Sequence, residues 1–224
     1  MITPIEPADD EAPILDAVLE LPTDGTEPYG CVVVCHPHPL YGGDRESSVV
    51  RAIADGALTA GLAALRFDFR GVGASDGTYD EGRGERDDAR AALAAAAAQP
   101  EIDAARVALA GYSFGGGVAA GVVADAIAAK TAEPRALALV ASPLTSNEKV
   151  RSALISYTQP LLLATGENDG FSSPDTVTAL ATERTNTGVV TETLTAPGAD
   201  HFWLGSEQLL ADRTSSFFME TIGG

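Results

Sequence analysis

The chain has 224 residues, with 32 acidic against 14 basic side chains and a formal net charge of −18. That length suits one domain burying roughly 70% of its unfolded surface. A field this negative repels phosphate backbones and argues against nucleic-acid binding. The 45% hydrophobic content argues against disorder. No apolar run approaches the ~20 residues needed to span a bilayer, so no membrane partner is expected.

The first segment, Met1 to Pro13, is acidic and Pro-rich, without the basic and apolar regions of a secretion signal. A cytoplasmic protein is expected. Ile14 to Leu21 reads as an antiparallel edge strand, and the β-branched run Tyr29 to Cys35 (YGCVVVC) as a strand buried on both faces. Cys31 and Cys35 would lie ~13 Å apart on that strand, too far for a disulfide, and read as small core residues. Ser47 to Gly61 has helical spacing, with Val50, Ile53, Ala54 and Ala57 on one face. Leu62 to Phe69 returns to strand. Glu85 to Gln99 is an Ala-rich helix with acids in its first turn, halted by Pro100. Strand and helix then alternate: Arg106 to Ala110, Phe114 to Lys130, Ala136 to Ala141, Leu161 to Thr165, Ser173 to Arg184, Val189 to Leu194, and a closing helix over Ser206 to Ile222. This alternation implies one α/β domain over residues 1–224, doubly wound, with a mostly parallel sheet and helices on both faces.

The pattern G-x-S-x-G marks a serine on a sharp strand-to-helix turn, and it occurs twice. Ser75, in GASDG, leads into a Gly/Asp loop and reads as a loop residue. Ser113, in GYSFG, comes directly off the strand RVALAGY and opens the next helix. Gly111, Gly115, Gly116 and Gly117 would remove the Cβ atoms that obstruct such a turn, so Ser113 is the candidate nucleophile.

A serine hydroxyl needs a base, and the base needs an orienting carboxylate. In this topology acid and histidine follow the serine in chain order. Of the three histidines, His36 and His38 precede Ser113, which leaves His201 in the loop after the last strand. Asp169 and Glu167 lie on the loop of the penultimate strand. Asp169 is favoured because Gly170 would let the loop turn its carboxylate inward, whereas Glu167 reads as solvated and Asp200 as too close in sequence to reach the ring. An oxyanion needs two donors. The Phe114 N–H is one. The other should come from His36-Pro37-His38-Pro39-Leu40, where the prolines have no N–H, so His38 or Leu40 remains and spacing favours His38. With no third ligand evident beside His36 and His38, no metal and no cofactor are expected. Asp68 and Arg70, in FDFRG, read as an internal polar tie behind these loops.

The stretches CHPHPLYGG, RFDFRGVGASDG and AGYSFGG, with GENDG and ADHFW, resemble the α/β-hydrolase superfamily, in particular small lidless serine hydrolases related to dienelactone hydrolase. The resemblance covers nearly the whole chain and implies an α/β-hydrolase fold and a Ser113–Asp169–His201 triad. Dienelactone hydrolases carry a cysteine in the elbow where this chain has Ser113, so lactone specificity does not transfer. The usual His-Gly of the oxyanion loop is His36-Pro37 here.

Only Pro143 to Gln159 separates two strands where this superfamily commonly inserts a cap, which leaves room for a short helix. An open pocket is expected, walled by Leu40, Tyr41, Phe171, Phe202 and Trp203. The reading is a serine esterase acting on a small ester or related acyl substrate. Its alternatives are acyl transfer, thioester or lactone cleavage by the same residues, or a non-catalytic ligand-binding protein of this fold. Oligomeric state is not legible. The acid excess, 39 alanines and only two lysines, Lys130 and Lys149, resemble the composition of proteins from salt-accumulating haloarchaea. Molar salt shortens the Debye length to ~3 Å and screens such self-repulsion.

Overall fold

A computed structural model describes residues 4–5, 12–144, 147–185 and 188–224. Residues 1–3 and 6–11 of the acidic N-terminal stretch, and 145–146 of the segment where a cap could insert, lie outside them.

The strand Tyr29–Cys35 (β2) sits inside the sheet, where its alternation of side chains feeds two cores. Cys31, Val33 and Cys35 point into one apolar cluster, Val32 and Val34 into the other. On β2's flanks lie Ala63–Phe67 (β3) and Ile102–Tyr112 (β4), both parallel to it. Ala17–Glu20 (β1) pairs antiparallel with β3 at the edge, as the sequence implied. Leu137–Val140 (β5), Leu161–Gly166 (β6) and Thr191–Ala196 (β7) continue the parallel sheet in the order β1-β3-β2-β4-β5-β6-β7. The edge strand β7 (TETLTA) is short and carries the charged Glu192, both of which oppose edge-to-edge pairing. β4 begins four residues before the expected Arg106, because Ile102 pairs with Tyr29 across a register shift.

Ser48–Thr59 (α1) and Glu207–Ile222 (α6) cover the face holding Val32 and Val34. Val50, Ile53, Ala54 and Ala57 of α1 are all buried there. The two helices cross closely at Gly56, where a Cβ would come within 2.2 Å of Thr214 Oγ1. Gly84–Ala97 (α2), Phe114–Ala129 (α3), Glu148–Ser156 (α4) and Pro174–Thr185 (α5) cover the other face. Among the described residues, the segment between β5 and β6 holds one nine-residue helix, α4. Arg184 of α5 is fully buried and donates to the carbonyls of Leu154, Tyr157 and Gln159, tying α5 to the chain that leads into β6.

From β2 the chain crosses through α1 to β3 on one side; from β3 it crosses through α2 to β4 on the other. Strand order therefore reverses between β2 and β4, and the crevice at their carboxyl ends is where such sheets bind ligands. The loops after β2 and β4 both open onto it.

Candidate active site

Ser113 follows β4 directly and starts α3, with φ 52° and ψ −117°. This backbone is strained for a side-chain-bearing residue, and the surroundings hold it: Ser113 N–H donates to Val140 O at 2.9 Å and Ser113 O accepts from Gly117 N–H. The first turn of α3 is pressed against the sheet. A Cβ on Gly115 would sit 2.4 Å from the Cys35 and His36 carbonyl oxygens, and one on Gly111 would sit 2.3 Å from Gly115 O. A Cβ on Gly116 would sit closer still to Ser142 Oγ. Gly117, expected to serve the same purpose, faces open space, so only three of the four glycines are sterically required.

Ser113 Oγ lies 2.9 Å from His201 Nε2, and His201 Nδ1 lies 3.1 and 3.0 Å from the two oxygens of Asp169. A carboxylate only accepts, so Nδ1–H donates to Asp169 and Nε2 is left to accept the serine proton. Asp169 Oδ1 also accepts from Phe171 N–H at 2.8 Å and Ser172 N–H at 2.9 Å. Burial by itself would raise this carboxyl, but the bonds from His201, Ser172 and Phe171 outweigh it and hold its pKa below the ordinary value. The turn after Asp169 does not depend on Gly170, which lacks a positive φ and whose Cβ would meet nothing within 4 Å. The backbone N–H groups aim the carboxylate. Glu167 is exposed and accepts from Gly198 N–H, and Asp200 accepts from Phe202 N–H; neither is bonded to the His201 ring.

Tyr112, overlooked in the sequence, anchors the histidine loop by donating from its hydroxyl to His201 O at 3.0 Å. Burial, then the nearby Asp169 and Asp200 charges, push its pKa up to about 12, so it stays a donor. His36 is the second residue the sequence undervalued. It is buried; its Nδ1–H donates to Pro37 O and its Nε2 accepts from Phe69 N–H at 3.0 Å, joining the ends of β2 and β3.

Burial lowers the His36 pKa to about 4 against 6.5 for a free ring. Because the folded value lies below the unfolded one, the unfolded chain binds the proton first as pH falls. The His36 contribution to stability is therefore complete above about 6.5 and lost on acidification towards 4. Chemical denaturation across that window should show a decline of roughly 3 kcal/mol, and His36→Gln should flatten it while lowering stability at neutral pH.

Asp68 and Arg70 are both internal polar ties, as FDFRG suggested, each with a partner on another segment. Asp68 accepts from Arg45 N–H at 2.8 Å and from the Arg45 guanidinium at 2.7 Å, and Arg70 pairs with Asp88 of α2 at 2.7 Å. Ser75, the second G-x-S-x-G serine, is a buried joint that donates to Asp68 O at 2.7 Å and accepts from Asp16 N–H at 2.9 Å. These bonds brace the switch-point loops from behind.

Leu40, Tyr41, Phe171 and Phe202 are 67%, 87%, 71% and 66% exposed, so the rim is open. Phe171 and Phe202 flank the His201 ring with centroids 4.7 and 5.7 Å away. Trp203 does not belong to the rim. Its backbone φ of 61° turns it down into the core with Phe217 and Phe218, where it is fully buried. A groove of 660 Å³ between α2, α3 and residues 131–135 lies at the opposite end of the strands and touches none of these residues. Among the described residues no group of three or more His, Cys, Asp or Glu is arranged to hold a metal ion, and no helix is long and apolar enough to cross a membrane.

A family model for the alpha/beta hydrolase domain matches residues 31–210. The chain belongs to the α/β-hydrolase family. This α/β-hydrolase is 32% identical over 174 residues to an uncharacterized protein of Rickettsia prowazekii, covering 76% of this chain and 71% of that one. It is also similar to the solved structure of an alpha-beta serine hydrolase homologue from Coxiella burnetii, at 30% identity, TM-score 0.77 and 91% coverage of both chains. A lidless α/β serine hydrolase of Xanthomonas campestris superposes with TM-score 0.77 at 26% identity, over 98% of this chain and 99% of that one. The α/β-hydrolase here shares that lidless architecture.

Proposed function

We propose that this α/β-hydrolase is a serine esterase that cleaves a carboxylic ester of a small substrate, with Ser113 as nucleophile, His201 as base and Asp169 as orienting acid. The observation that carries the reading is the unbroken series Ser113 Oγ, His201 ring, Asp169 carboxylate on a strained elbow. His201 Nε2 takes the Ser113 proton as Oγ attacks the ester carbonyl, and Asp169 stabilises the imidazolium. The Phe114 and His38 N–H groups receive the oxyanion; Leu40 N–H is the weaker choice because it already donates to the His38 ring at 3.2 Å. The alcohol leaves with the proton from His201. Water then attacks the acyl-enzyme by the same route, and the open rim of Leu40, Tyr41, Phe171 and Phe202 favours water over a bound acyl acceptor. Neither nucleic acid nor membrane enters the scheme.

A p-nitrophenyl ester series of increasing acyl length should give a nitrophenolate burst of about one per chain, followed by slower turnover, as an acyl-enzyme that is hydrolysed more slowly than it forms produces. Steady turnover only with an added alcohol, or only of thioesters or lactones, would move the reading to acyl transfer or to those substrates. Absence of turnover of any acyl compound would support a binding protein.

The working medium is part of the proposal. Exposed pairs such as Arg51–Glu46 and Arg83–Asp80 leave the net charge at −18, and that repulsion needs screening. Raising potassium chloride from ~0.1 M to ~1 M, which shortens the Debye length from ~10 to ~3 Å, should raise both Tm and activity. An unchanged Tm would contradict a salt-adapted surface.

A further inference from the structure

The mechanism uses the backbone of His38 and leaves its ring unassigned, yet that ring touches three segments that meet at the site. His38 Nδ1 accepts from Leu40 N–H at 3.2 Å. A nitrogen that accepts cannot carry a proton, so the neutral ring is protonated on Nε2, which lies 3.3 Å from the Tyr79 hydroxyl. Nε2–H therefore donates to Tyr79. Burial lowers the His38 pKa, which agrees with a neutral ring.

The ring also packs against Phe114, Tyr41 and Tyr79, with centroids 4.8, 4.6 and 5.1 Å away. Phe114 is the residue assigned the other oxyanion donor. Beneath the ring, His38 O accepts from both Tyr41 N–H and Gly43 N–H at 3.1 Å, so the whole turn closes on this residue. Tyr79 is itself placed by a braced loop: Glu85, fully buried at the start of α2, accepts from Asp80 N–H at 2.8 Å and Gly82 N–H at 2.7 Å.

We propose that the His38 imidazole is a positioning residue, clamped between Leu40 N–H and the Tyr79 hydroxyl, that holds the His38 N–H in register with the Phe114 N–H. The inference rests on the proposed oxyanion role of those two groups. Tyr79 and Phe114 then act as the walls against which the ring is set, and the β2 loop keeps its shape without the His-Gly pair that other members of the superfamily use there.

The test compares His38→Gln, His38→Asn and Tyr79→Phe, with kcat and KM measured separately. Asn places Oδ1 where Nδ1 stands and can still accept from Leu40 N–H, as an Asx turn does. Gln cannot. Losing one oxyanion donor outright costs 10²–10³ in kcat, so misplacing it in His38→Gln should cost ~10–100-fold with little change in KM. His38→Asn should recover most of that loss, and Tyr79→Phe should lower kcat by a smaller factor. Should His38→Gln not fold, Tyr79→Phe decides alone: a lower kcat at unchanged KM supports the clamp, an unchanged kcat overturns it. Equal losses in Asn and Gln, losses confined to KM, or wild-type kcat in all three would also overturn it. A fluorophosphonate probe separates the two levels of the argument. Stoichiometric labelling of Ser113 with unaltered variants overturns the positioning role alone, whereas no labelling of wild type overturns the nucleophile assignment and this inference with it.

Discussion

Replacing Ser113 with alanine is expected to lower kcat for ester hydrolysis by about 10⁶-fold, the size of loss when a serine nucleophile is removed from a triad, leaving only what binding and an oxyanion hole provide. The fold should tolerate the change. Among the described residues the Ser113 side chain bonds only the His201 ring, while the backbone bonds to Val140 O and from Gly117 N–H hold the elbow. Alanine at φ 52° is no more strained than serine. Kinetics with a p-nitrophenyl ester, beside a thermal unfolding curve, checks both halves. A loss below about tenfold would mean that another group attacks the ester.

Asp169→Asn should lower kcat by ~10⁴-fold with little change in KM, for a reason the hydrogen bonds specify. Asp169 Oδ1 accepts from Phe171 N–H and Ser172 N–H, so the oxygen of an asparagine is pinned there and its NH₂ takes the Oδ2 position, 3.0 Å from His201 Nδ1. An NH₂ only donates. Oδ1, 3.1 Å from His201 Nδ1, is already taken by two backbone N–H groups, so Nδ1 accepts from the nearer NH₂, its proton moves to Nε2, and Nε2 can no longer take the proton of Ser113. Packing should survive, because the two N–H bonds are kept. Steady-state kinetics reads the loss and NMR of the ring nitrogens reads the tautomer; near wild-type kcat with the proton still on Nδ1 would remove Asp169 from the scheme.

How far the sequence foretold this arrangement depends on how local each signal is. YGCVVVC could only be a doubly buried strand, and the Phe114 helix could only begin at the elbow, since both follow from composition and spacing along one segment. That Ser113, Asp169 and His201 come together was legible because chain order and position on the loops after β4, β6 and β7 restrict the choice to very few residues. The details set by tertiary contact were not. Gly170 and Gly117 looked structurally necessary, yet neither occupies a crowded or left-handed position. Trp203 looked like a wall beside His201, but its positive φ turns it inward, and nothing in ADHFW announces that angle. Asp68 and Arg70 read as an internal polar tie, but their partners Arg45 and Asp88 stand on other segments that FDFRG does not name. The Tyr79–His38 contact joins residues 41 positions apart, which no periodicity reveals.

The central claim is that Ser113 is a nucleophile activated by His201 and Asp169. The most direct measurement is reaction with a fluorophosphonate, in molar salt and in dilute buffer, followed by mass mapping of the adduct. One adduct per chain on Ser113, lost in Ser113→Ala, is the predicted result. No adduct in either medium, or an adduct on another serine such as Ser75 that persists in Ser113→Ala, would contradict it.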